Sequence, residues 1–482
     1  MKSFLFIVLL AIASYLNACS NPNHPSGTLN GTVKGSAQQD SSLDVGGLEL
    51  RVRAFNPSDG FRGDHYMKAI TDSMGVFQAQ YRVPLPGVYP VEISREGEVL
   101  AEIMAVLSED ETIELEIGFP ISDSTVSVIS PENDLYRTLN RLDRNYRRVT
   151  TFLQAGVLSE DSTRMEIQKW SRLYWDFYQE YPKSVAGQLA AASSVQLLRG
   201  LDDSLMVQRI QSSLESDAAM IPGGVLLLTD FYVFNEELDK AASMIRDVIR
   251  KPHHEEHKRA LYQILTRLEY DRNEHNGGER LLYQMRRDLP VDPIAKAWSG
   301  DWLPEFTRLA RGEEIPSFQG WADGEVVSRE TLLGNPYLIE FTRFANRRYQ
   351  DELDRLSVLY QLFKPTGLEI VTFAQDISPL RKETFLDEWA LEWVIADSVS
   401  PDWPELIERF NLTEAPIRIL VDQEGKIYRK YFAGEFESIL AGIQVLTAQQ
   451  DSAIDPRGED NSNSENLDAE SDSRNPSTLD KN

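Results

Sequence analysis

Gly334-Asn335-Pro336-Tyr337-Leu338-Ile339-Glu340-Phe341-Thr342 and, further on, Ala415-Pro416-Ile417-Arg418-Ile419-Leu420-Val421-Asp422-Gln423-Glu424-Gly425-Lys426-Ile427 set the architecture of the C-terminal third of this chain. In the first, a Gly-Asn-Pro turn releases an apolar run, Tyr337 to Phe341, of strand length. A long helix is predicted after it, because Tyr349, Leu353, Leu356, Tyr360 and Phe363 recur on one face. Gly367 ends that helix and Leu368 to Phe373 form the next strand, so the segment reads as a βαβ unit with parallel strands. In the second, Ile417 to Val421 is a strand, the Asp422 to Gly425 turn leads into Lys426 to Phe432, and a last helix starts near Glu435. Upstream, Asp323-Gly324 makes a hairpin turn before Val326 and Val327, following Ile315-Pro316-Ser317-Phe318.

Taken in this order, residues 312–448 resemble the thioredoxin-like domain of membrane-anchored thiol-disulfide oxidoreductases and of the alkyl hydroperoxide reductase superfamily. The resemblance implies that Pro416 is a cis-proline beside the active site. It also implies a Cys-x-x-Cys at the start of the helix after the first central strand, where helix dipole and free amides stabilise a thiolate. Those positions here are Asn346, Arg347, Arg348 and Tyr349, and none carries sulfur. The chain has a single cysteine, Cys19, so neither an intramolecular disulfide nor a thiolate metal cluster can form. Thiol-disulfide exchange needs a thiolate attacking a disulfide, and the domain is therefore read as redox-silent.

Residues 27–119 break into short alternating runs between turns, the pattern of a small antiparallel β-sandwich. Leu48, Leu50, Val52 and Ala54 share one strand face, and Phe77, Ala79 and Tyr81 another. Asp72-Ser73-Met74-Gly75-Val76-Phe77 and Pro86-Gly87-Val88-Tyr89-Pro90-Val91 resemble the signatures of carboxypeptidase-regulatory-like domains, which implies a spacer or interaction module. Between residues 131 and 310 the period becomes helical. Leu135, Leu139, Leu142, Tyr146, Val149 and Leu153 form one apolar face, and Met165, Trp170, Leu173, Phe177 and Tyr181 a second. Helical hairpins follow, over Leu238 to Ile249, Ala260 to Leu268 and Leu281 to Leu289, with breaks at Lys251-Pro252 and Asn276-Gly277-Gly278. The expected class is thus multidomain: β-sandwich, all-α helical hairpins, then an α/β thioredoxin-like fold. Residues 449–482 are polar and acidic, too poor in apolar groups to offset ordering entropy, and are expected to be disordered.

The N-terminus supplies an address. Lys2, the apolar run Phe4 to Ile12 and Leu16-Asn17-Ala18-Cys19 resemble the signal and lipobox of bacterial lipoproteins, which implies residues 1–18 as signal peptide, residues 19–26 as tether and Cys19 as the acylated residue. By the same resemblance, Ser20 and the non-acidic Ser20-Asn21-Pro22-Asn23-His24 stretch imply an outer-membrane position facing the periplasm. The membrane is one expected partner, through the lipid. The formal charge of −27 disfavours nucleic acid.

Remaining candidates divide between chemistry and packing. Arg343, Arg347 and Arg348 could line an anion site at a helix N-terminus, or be a solvated helix face. Asn346 suits a helix N-cap. His253, His254 and His257 lack the His-Glu-x-x-His order of zinc proteases and suit a polar first turn after Pro252, so no metal is expected. Trp170, Tyr174, Phe177 and Tyr181 could stack on sugars but at helical spacing belong to a core. Phosphate-loop, dinucleotide and nucleophile-elbow motifs are absent, so no cofactor is expected. The reading favours binding or scaffolding with a protein or peptide partner over enzymatic turnover. Its rivals are an oxidoreductase or peroxidase relative working with a cysteine-bearing partner, and a helical domain that itself captures peptides.

Overall fold

The structure, a computed structural model, describes residues 24–35, 45–54, 65–122, 124–156, 158–215 and 221–454. Cys19, the Phe4 to Ile12 run and the acidic segment from residue 455 lie outside them. The chain divides into two compact units, up to Thr307 and from Arg308 onward.

In the first unit, strands β1 (Ser26–Lys34), β2 (Glu49–Arg53), β3 (His65–Ile70), β4 (Val76–Arg82), β5 (Gly87–Arg95), β6 (Glu98–Leu107), β7 (Thr112–Gly118) and β8 (Val126–Ile129) form two four-stranded sheets, ordered β4-β1-β7-β8 and β3-β2-β5-β6. Leu50 and Val52 from one sheet and Phe77, Ala79 and Tyr81 from the other enter one shared core, because alternate residues of each strand point inward. The sandwich is not wholly antiparallel, since β1 and β7 run parallel. These strands meet by a long crossover that local alternation does not reveal. The sheet also continues beyond residue 119, where β8 pairs with β7.

Nine helices follow among the described residues: α1 (Pro131–Gln154), α2 (Glu160–Glu180), α3 (Val185–Gln196), α4 (Asp203–Glu215), α5 (Ile221–Phe234), α6 (Leu238–Ile249), α7 (Glu255–Asp271), α8 (His275–Asp288) and α9 (Pro293–Phe306). Ser130, Ser159, Ser184 and Asp292 cap α1, α2, α3 and α9 by accepting from first-turn amides. The Asn133 side chain joins α1 to the sandwich. Its Oδ1 accepts from Val106 N at 2.8 Å and its Nδ2 donates to Val106 O at 3.0 Å, so it completes the end of strand β6.

Two expectations fail here. The buried face of α2 is Trp170, Ser171, Tyr174 and Tyr178, whereas Met165 and Leu173 are 69% and 39% exposed. Polar Ser171 is drawn inside because its hydroxyl donates to Ser194 O at 2.9 Å. Asn276-Gly277-Gly278 does not break the chain but lies in the first turn of α8. A Cβ at Gly278 would sit 2.0 Å from the Phe306 ring, so glycine serves helix packing there rather than a turn. His254 precedes α7 and His257 is buried in it, which makes the triplet part of the helix start.

The second unit holds a hairpin of β9 (Gln319–Ala322) and β10 (Glu325–Ser328), whose turn residues Asp323 and Gly324 both have positive φ. After the short α10 (Arg329–Leu332) come β11 (Tyr337–Thr342), α11 (Arg347–Phe363), β12 (Glu369–Ala374), α12 (Pro379–Trp389), β13 (Val394–Ile395), β14 (Ser398–Ser400), α13 (Trp403–Arg409), β15 (Ile417–Val421), β16 (Ile427–Tyr431) and α14 (Phe436–Ile454). The main sheet is ordered β13-β12-β11-β15-β16, with β11 parallel to β12 and antiparallel to β15. β11 is buried along its whole length, as a strand covered on both faces must be. Tyr349, Leu353, Leu356, Tyr360 and Phe363 of α11 pack on one side with Ile439 and Ile443 of α14, while Phe318, Phe341, Phe373 and Phe410 fill the other. Contrary to a polar tail starting at 449, α14 runs to Ile454.

Candidate functional site

The C-terminal end of β11, the start of α11 and the loop before β15 converge on a cleft of about 320 Å³. Phe341 and Trp403, edge to face with ring centroids 6.4 Å apart, contribute apolar surface together with Ile407 and Leu412. Arg343, Asn346, Gln375 and Glu414 add polar groups. Apolar walls with a few converging polar atoms are the usual make-up of a binding cleft.

Asn346 is the joint of this site. Its Oδ1 accepts from Tyr349 N at 3.0 Å, capping α11, and its Nδ2 donates to Ala415 O at 3.0 Å, tying the helix start to the segment before β15. The Ala415–Pro416 peptide bond is cis. Arg343 stretches along the rim and donates from Nε to Gln375 Oε1 at 2.7 Å. Glu414 accepts from Ala433 N at 2.7 Å, and buried Lys430 donates to Phe410 O (3.0 Å) and Asn411 O (2.9 Å), which holds the opposite wall. Asp376 accepts from Phe344 N (2.7 Å), Ala345 N (3.1 Å) and Arg381 (2.8 Å), so the amides just ahead of the helix are already engaged by a carboxylate.

The three arginines proposed for an anion site are not gathered. Arg343 lines the cleft, but Arg347 and Arg348 are exposed and lie outside its lining. Tyr349, at the second sulfur position of the missing motif, is fully buried in the core beneath the helix.

Behind the cleft lies an ion row that sequence reasoning missed. The sheet register sets Glu340 opposite Thr372 on one side and Arg418 on the other. Arg418 donates to Glu340 Oε1 at 2.7 Å and to Glu352 Oε2 on α11 at 2.6 Å. The Thr372 hydroxyl donates to Glu340 Oε2 at 2.7 Å, the Trp393 indole donates to Thr372 at 2.9 Å, and Tyr349 OH reaches Glu340 at 3.4 Å. Burial opposes the Arg418 charge, but Glu340 and Glu352 outweigh it and raise its pKa above the ordinary guanidinium value. Burial, together with the Glu340 charge, raises the Tyr349 phenol well above its usual range. A legible signal existed: opposite charges, Glu340 and Arg418, each set within an otherwise apolar strand, are tolerated inside only as partners.

The order β12-β11-β15-β16, with a helix between the two parallel strands and another after β16, fixes the topology. The C-terminal unit is a thioredoxin-like domain. No family model matches the chain. Among curated proteins, the thiol-disulfide oxidoreductase ResA of Bacillus cereus is 21% identical over 142 residues, covering 29% of this chain and 80% of that protein. Its Bacillus anthracis counterpart is 20% identical over 136 residues, covering 28% and 77%. Among solved structures, a thioredoxin-family thiol:disulfide interchange protein from Chlorobium tepidum matches 29% of this chain and 98% of its own at 18% identity and a TM-score of 0.26. The thioredoxin domain of a thiol-disulfide oxidoreductase from Bacteroides vulgatus matches 28% and 98% at 24% identity and a TM-score of 0.25. The thioredoxin-like domain thus shares its sequence pattern with oxidoreductases while placing Asn346 and Tyr349 where the resemblance expects cysteines.

Proposed function

We propose that this chain is a lipid-anchored protein of the bacterial cell envelope whose thioredoxin-like domain binds an extended polypeptide without exchanging thiols. The observation that carries the reading is Asn346, which stands where the resemblance expects a nucleophilic sulfur and whose amide clamps the helix start to Ala415. Beside that clamp the cleft is lined by Phe341, Trp403 and Leu412, a shape suited to an apolar side chain, with the remaining N–H donors of Arg343 and Gln375 available to peptide carbonyls. The lipobox resemblance supports acylation at Cys19 and an outer-membrane, periplasm-facing position, and the sandwich then acts as a carboxypeptidase-regulatory-like spacer or interaction module.

Reduced, carboxymethylated α-lactalbumin, an unfolded polypeptide without free thiols, provides the test. Binding is expected to change tryptophan fluorescence, and Trp403→Phe should abolish the change while Arg343→Ala weakens binding. Insulin reduction with dithiothreitol should proceed no faster than in buffer. Turnover above that background would overturn the proposal in favour of the second reading, which the ResA similarity favours: a thiol-disulfide oxidoreductase relative acting with a cysteine-bearing partner.

A further inference from the structure

Helix α1 carries Arg137, Arg141, Arg144, Arg147 and Arg148 in a chain whose formal charge is −27. At about 100° per residue, Arg137, Arg141, Arg144, Arg148 and Phe152 fall within an arc of about 80°, opposite the inward face of Leu135, Leu139 and Tyr146. All five of these outward residues are exposed. Arg137 bonds Asp134 and the Val128 carbonyl, and Arg141 bonds Thr138, but among the described residues the guanidinium groups of Arg144, Arg147 and Arg148 make no hydrogen bond or ion pair, the Arg147 carbonyl alone accepting from Thr150 and Thr151. Past the first turn the helix has one carboxylate, Asp143, and it accepts from the Tyr174 hydroxyl at 2.7 Å.

The same contacts set the register of the α1–α2 hairpin. Asp143 meets Tyr174, and the Tyr146 ring lies 5.5 Å from that of Trp170. Carried toward the connecting loop, this antiparallel register brings Met165 level with Phe152. Both are exposed, at 69% and 61%. Uncompensated cations beside exposed apolar side chains are the chemistry of an interfacial membrane contact: the cations meet anionic headgroups and the apolar groups enter the acyl boundary. Phe152 and Met165 would gain nothing from a phosphodiester backbone, and the acidic remainder of the chain opposes nucleic acid.

We propose that the α1–α2 hairpin is a membrane-contact surface, with its arginine stripe on anionic phospholipid headgroups and Phe152 and Met165 set into the acyl boundary. The contact is separate from acylation at Cys19 and from the cleft. Because the rest of the chain is strongly acidic, the stripe also orients the protein at an anionic surface.

The test is sedimentation of the chain beginning at Ser20, which lacks the acyl site, with vesicles of equimolar phosphatidylglycerol and phosphatidylcholine. Binding should weaken about thirty-fold in Arg144→Gln plus Arg148→Gln, at roughly 1 kcal/mol for each cation near the surface. It should survive in Arg144→Lys plus Arg148→Lys, fall with added salt, and weaken several-fold in Phe152→Ser plus Met165→Ser. Equal binding to pure phosphatidylcholine, an unchanged glutamine variant, or capture of polyglutamate or duplex DNA as tightly as vesicles would overturn the proposal.

Discussion

Arg418 and His257 are both buried bases, one in the main sheet of the thioredoxin-like domain and one in helix α7, and the two regions accommodate them in opposite ways. Arg418 stays charged because the strand register delivers Glu340 and the facing helix delivers Glu352. His257, although Glu255 and Glu256 precede it in the chain, makes no ion pair with a carboxylate among the described residues, and the charged neighbours that act on it are His254 and His253. Burial, followed by those two neighbours, lowers its pKa to about 4. A buried ionisable group is thus settled by what the fold places opposite it: with opposite charge it becomes a fixed ion, and without it a neutral polar group.

The largest expected effect comes from breaking the pairing. Arg418→Met should destabilise the domain by about 3–5 kcal/mol in denaturant unfolding, because Glu340 and Glu352 are left buried without a cation. Replacing all three together, Glu340→Leu, Glu352→Leu and Arg418→Met, should restore most of that loss. A mild effect of Arg418→Met alone would erase the contrast with His257.

Acid should reveal the other half of the comparison. The folded pKa of His257 lies below its unfolded value of 6.5, so its contribution is fully present above about pH 6.5 and is lost as pH falls toward about 4. The loss amounts to about 3 kcal/mol at its limit. Unfolding of wild type and His257→Gln at pH 7 and pH 4.5 isolates it, since the variant should show a smaller acid loss than wild type. Matching losses would mean that His257 is protonated in the folded protein.

Smaller effects belong to the cleft, where charges are solvated. Asn346→Ala should cost about 1 kcal/mol, the usual loss of a helix cap. Arg343→Ala should change stability by no more than about 0.5 kcal/mol, as surface substitutions do, and show itself only in polypeptide binding.

Much of the architecture was readable locally. Helix α6 and strand β15 have the expected limits, Leu238–Ile249 and Ile417–Val421, because each is an apolar pattern closed by turn residues. What escaped reading depended on distant partners. Glu340 and Arg418 are 78 positions apart, and strand periodicity says that both are buried without saying that they meet. The parallel β1–β7 pairing is likewise non-local. On α2, Met165 and Leu173 looked like core by hydrophobicity alone, yet the helix turns Ser171 inward to reach Ser194. At the cleft, the cap formed by Asn346 was legible from residue type, whereas its bond to Ala415 and the separation of Arg343 from Arg347 and Arg348 required the tertiary structure.

Asp376 follows the cleft-lining Gln375 and, from just outside the lining, sets the electrostatics of the approach to the start of α11. By occupying the amides of Phe344 and Ala345 it acts as a resident anion, so a phosphate or carboxylate arriving at that end would have to evict a tethered competitor already stabilised by Arg381. Ligands that bring neutral carbonyls and an apolar side chain meet no such rival, and under the proposed polypeptide binding uncharged stretches of chain are the ones expected to be favoured before any contact with Arg343 is made.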